Sequence, residues 1–114
     1  MQHEVGHLIK LLEEGARMLS PYEVNRKPEE RWSVELIRLA KELKSIDNPK
    51  TLEEFLQRNY EELFGVKDTF RELWIDPENN HVAQNFSKAN KQLDSFRHSL
   101  YGAWHACKRE NRHL

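Results

Sequence analysis

One run of apolar residues limits what this chain can become. Val82, Phe86, Ala89, Leu93, Phe96, Leu100, Ala103 and Cys107 follow one another at alternating intervals of four and three, the heptad spacing of a helix with a single apolar seam. Continuous from Pro77 to about Glu110, that helix would be roughly 50 Å long, nearly twice the roughly 27 Å of the first helix, at about 1.5 Å per residue. Four outcomes follow. The helix overhangs and pairs with another chain, breaks near Asn79-Asn80, bends at Gly102, or serves as a core helix of a monomeric bundle.

The rest of the chain reads as helix too. Val5, Leu8, Ile9, Leu12, Ala16 and Leu19 form one stripe of a first helix from about Gln2 to Leu19, ended by Ser20-Pro21. Pro28 with Glu29 and Glu30 is expected to open a second helix, proline in the first turn and acids at the positive dipole end. Its buried line is Trp32, Leu36, Leu39 and Leu43. Thr51-Leu52-Glu53-Glu54 reads as a capping box for a third helix, with Leu52, Phe55, Leu56, Tyr60 and Leu63 inward and Gly65 as a left-handed C-cap followed by Val66. A short helical piece carries Phe70, Leu73 and Trp74 to Asp76-Pro77. No period-two alternation and no Asn-Gly or Asp-Gly hairpin turn occurs. The expectation is an all-α, single-domain bundle of four or five helices over residues 1–114 with a long, heptad-patterned C-terminal helix.

At 114 residues the chain can bury roughly two thirds of its unfolded surface in one core. Its hydrophobic fraction of 38% and its three Trp and five Phe argue against disorder. No apolar run approaches a membrane span, and the amphipathic first helix lacks the pattern of a signal peptide, so a cytoplasmic protein is expected. The single Cys107 excludes an internal disulfide and any cysteine-rich zinc module; its place in the seam makes it a small buried hydrophobe. The formal net charge of −1 conceals a polarity: residues 79–114 carry +4 and residues 1–78 carry −5.

His3-Glu4-Val5-Gly6-His7 satisfies the H-E-x-x-H pattern of zinc proteases, in which two histidines one helical turn apart ligate the metal and the glutamate is the general base. At about 100° per residue, however, His3 and His7 fall nearly opposite the stripe centred on Val5 and Leu12 and face solvent. The downstream histidine of the extended motif is absent, and the region that would hold a glutamate ligand, Glu23 to Pro28, reads as loop, which leaves only Glu29 or Glu30 for that role. A metal-dependent hydrolase built on His3, Glu4 and His7 is therefore the alternative, and binding of a transition metal by the exposed His pair is the milder form of it. No nucleophile elbow, phosphate-cradling glycine loop or repeated Glu-x-x-His occurs, so neither an enzyme nor a cofactor is expected.

The last helix offers a different surface. Lys91, Arg97, His98, Tyr101, His105 and Arg109 flank the seam without belonging to it, and Tyr101 is an aromatic set among charges. These six are the candidate partner-binding residues. Cations with an exposed aromatic suit a phosphate backbone or an acidic protein, and a pI near 6.6 favours protein over nucleic acid.

The stretches Tyr60 to Phe70 and Asn90 to Tyr101, with Leu93, Arg97, Leu100 and Tyr101, resemble a group of small all-helical bacterial proteins, some of them immunity-protein-like. The resemblance covers the C-terminal half, departs from the group at Phe64-Gly65-Val66-Lys67, and implies no catalytic residue. It implies a non-enzymatic protein that acts by binding a protein partner or by self-association through the C-terminal helix, as an immunity or antitoxin factor does.

Overall fold

The computed structural model describes residues 3–65, 70, 73 and 86–112. Among them there are four α-helices and no strand: α1 (His3–Leu19), α2 (Trp32–Lys44), α3 (Pro49–Phe64) and α4 (Phe86–Arg112). The expected all-α bundle is what forms. Val82, Trp74, Val66 and the Asp76-Pro77 start of the last helix lie outside the described residues.

Helix α1 packs against both α2 and α4, and α4 also packs against α3. The α1 stripe of Val5, Leu8, Leu12, Ala16 and Leu19 is buried, as are Leu36, Leu39 and Leu43 of α2. Leu52, Phe55, Leu56 and Leu63 of α3 and Ala89, Leu93, Leu100, Ala103 and Cys107 of α4 complete the core. Most of the heptad seam is therefore buried inside one chain. Within its described length of about 40 Å, α4 is one continuous helix that includes Gly102. A Cβ on Gly102 would meet nothing within 4 Å.

Gly15 is the opposite case. A Cβ there would lie 2.1 Å from Cζ of Phe96, so the missing side chain lets the α4 ring sit against the α1 backbone. Phe96 is also in edge contact with buried Phe70, at a centroid distance of 6.0 Å, which limits its retreat.

Three helix ends differ from expectation. Pro28–Glu30 forms a single 3₁₀ turn, and α2 opens only at Trp32 because Arg31 is extended. Its cap comes from outside the helix. The buried Glu23 carboxylate accepts from the backbone N–H of Trp32 at 2.7 Å and of Ser33 at 2.8 Å, placing an anion at the positive dipole end. Arg31 holds the intervening loop by donating to the carbonyls of Arg26 and Val24. Helix α3 starts at Pro49, ahead of the Thr51 capping box, since Asn48 is the N-cap and accepts from Thr51 N–H at 2.9 Å. Gly65 closes α3 with φ −67° and ψ 176°, an extended conformation, and donates to the Glu61 carbonyl, so no left-handed cap forms.

Candidate functional site: the α3–α4 groove

Helices α3 and α4 run antiparallel, tied at three levels. Asn111 donates to the Pro49 carbonyl at 2.9 Å, the Trp104 indole N–H donates to the Leu56 carbonyl at 3.2 Å, and Tyr101 meets Phe64 edge to face at 5.3 Å. Trp104 is fully buried and stacks on Phe55 at 5.7 Å and edge-on to Phe64 at 5.8 Å. It carries order from the core out to the surface aromatics.

At that surface a groove of about 580 Å³ opens, lined by Tyr60 and Phe64 of α3 and by Asp94, Arg97, His98 and Tyr101 of α4. Tyr101 is 47% exposed yet fixed, with its ring 4.4 Å from that of His105. The His105 ring also meets Tyr60 at 5.8 Å, and Tyr60 meets Phe64 at 5.3 Å. Four rings thus form one surface cluster.

The candidate residues divide once they are placed. Lys91 and Arg109 are exposed and in no ion pair among the described residues. His98 is 80% exposed in its side chain, with Nδ1 within 2.9 Å of the Asp94 carbonyl oxygen and near the Asp94 carboxylate. Arg97 lines the groove but is largely engaged within the chain. Its Nη1 donates to the Leu73 carbonyl at 2.7 Å and toward that of Phe70 at 3.4 Å, and Nη2 lies 3.6 Å from Asp94. Arg97 is a latch on Phe70 and Leu73 as well as a wall of the groove.

His105 is half-buried, and its Nε2 is sealed from solvent without a hydrogen-bond partner among the described residues. Burial first, then the charges of Lys108 and Arg109, hold its pKa below the ordinary histidine value. It serves as a neutral stacking ring at the edge of the groove. Tyr60, Phe64 and Trp104 are the members that the sequence did not assign to this surface; the only signal for them was their aromatic type in antiparallel neighbours.

The other histidine pair sits differently. His3 and His7 are both exposed on α1, and Glu4 is half-buried with its backbone N–H directed at a Glu110 carboxylate oxygen 3.4 Å away. Among the described residues, no group of three or more His, Cys, Asp or Glu side chains could hold a metal ion. Cys107 is buried, and burial pushes its thiol up to about 12, with Glu110 and Glu4 adding to the shift, so it is a protonated core residue at neutral pH. No helix among the described residues is long and apolar enough to cross a membrane.

Comparisons with protein-family models, with curated proteins and with solved structures found no match to this chain.

Proposed function

We propose that this protein acts without chemistry of its own, by stoichiometric binding of a protein partner in the α3–α4 groove, as a cytoplasmic immunity- or antitoxin-type factor. The observation that carries this reading is Tyr101: an exposed aromatic, held by Phe64 and His105, on the same helix as Lys91 and Arg109, which are exposed and in no ion pair among the described residues. A ring already fixed loses little conformational entropy on binding, and Tyr and Arg are the residue types that anchor interfaces. The partner that fits is a protein with an apolar anchor for the groove and carboxylates for the α4 cations. A second copy of this chain has less to use, because the buried part of the seam is already covered by α1 and α3.

Affinity capture from the native host with wild-type protein and with Tyr101→Ala/Arg109→Glu tests the reading. One protein retained stoichiometrically by the wild type and lost by the double variant is expected. Identical retention by both forms, or nothing retained by either, would contradict it.

A further inference from the structure

A second groove lies between α1 and α2, with a volume of about 490 Å³, and it shares no lining residue with the first. Ala16, Val34 and Ile37 give it an apolar floor, and Val34 is 48% exposed. Every charged side chain that lines it is a cation: Arg17, Arg38 and Lys41. Arg38 is paired with Glu35 and Glu42 on its own helix, whereas Arg17 and Lys41 are in no ion pair among the described residues.

The charge pattern along this junction changes within one turn. Lys44 of α2 bridges to Glu13 of α1 at 2.9 Å, an attraction that ties the two antiparallel helices together. One turn further, at positions 17 and 41, both residues lining the groove are cationic. Like charges facing one groove oppose each other, and a carboxylate at either position would have continued the ladder. Unpaired cations beside exposed apolar surface suit an external anion that also brings an apolar group.

We propose that the α1–α2 groove is a second docking surface, which takes an acidic amphipathic segment of a protein partner. Apolar side chains of that segment rest on Ala16, Val34 and Ile37, and its carboxylates pair with Arg17 and Lys41. The open groove between two helices suits an amphipathic helical segment, and the apolar floor separates such a segment from a purely anionic ligand. With the α3–α4 groove, the chain would hold a partner at two separate places. The inference stands on this groove alone and does not depend on the first.

The test is fluorescence anisotropy with the full-length protein and a labelled short peptide that carries Glu and Leu at helical spacing. Saturable binding is expected, weakened by salt and by at least about tenfold in Arg17→Glu/Lys41→Glu, and unchanged in Tyr101→Ala. The single variant Arg17→Glu places opposite charges across the groove, so its unfolding midpoint should equal or exceed that of the wild type while peptide binding falls. That separates lost docking from lost folding. The proposal is overturned by absence of saturable binding, by equal binding of the double variant, or by equal affinity for a Glu/Ser peptide without leucine. Tighter binding of phosphatidylglycerol vesicles or of an RNA oligonucleotide than of the peptide would also overturn it. Loss of peptide binding in Tyr101→Ala would place the peptide in the other groove and would equally defeat it.

Discussion

Two histidine surfaces stand among the described residues, and spacing alone cannot tell them apart. His3 and His7 stand one turn apart on α1, and His98 and His105 stand two turns apart on α4. On α1 both side chains project into solvent with no converging third ligand among the described residues. On α4 a neighbouring helix supplies Tyr60 and Phe64, so that His105 and Tyr101 become part of a packed aromatic surface beside a groove. A motif states which side chains share a side; the element packed next to it decides whether they form a site.

The largest expected effect removes the anchor of the α4 surface. Trp104→Ala deletes a fully buried ring and its bond to the Leu56 carbonyl, and should lower stability by about 3–5 kcal/mol in denaturant titrations. His3→Gln/His7→Gln, which touches only exposed positions, should stay within about 0.5 kcal/mol of the wild type. Comparable losses would abolish the distinction between the two surfaces.

Gly15→Ala comes next. The clash with Phe96 should outweigh the gain in helix propensity and cost about 1–2 kcal/mol net. Adding Phe96→Leu should recover part of that loss, and simple additivity of the two variants would show that the contact carries no strain. At Gly102, on the same α4 helix and facing open space, alanine should instead stabilise by about 0.5–1 kcal/mol in the same titration.

A pH-dependent contrast is smaller. Because the pKa of His105 is lower folded than unfolded, the unfolded chain takes up the proton first as pH falls. Its contribution is therefore fully present above the ordinary histidine value, is lost as pH falls from there toward the lowered folded value, and flattens below it. His105→Gln should reduce the slope of stability against pH across that window; an unaltered slope would show that the ring is not desolvated.

Much of the fold was visible in the periodicity, because each helix buries one face and the stripes on α1, α2 and α3 coincide with the observed core. The heptad run located the buried side of α4 from Ala89 to Cys107 but passed over Trp104, next to Ala103, because a core-facing helix buries a wider stripe than a strict seam. Helix starts were less visible. Asn48 preceded a second plausible cap at Thr51, and the cap of α2 is Glu23, nine residues before the N–H group of Trp32 that it serves. Of the site, Tyr101, Lys91 and Arg109 could be read as an exposed aromatic among cations. The engagement of Arg97 with the Phe70 and Leu73 carbonyls could not, since it depends on where residues distant in the sequence pack.

The central claim is that the α3–α4 surface, and not the exposed histidine pair of α1, meets the partner. Photo-crosslinking in the native host tests it most directly, with a benzophenone amino acid placed at Tyr101 in one variant and at His7 in another. A single discrete adduct from position 101 and none from position 7 is the predicted result. No adduct at position 101, or the same adducts from both positions, would contradict it.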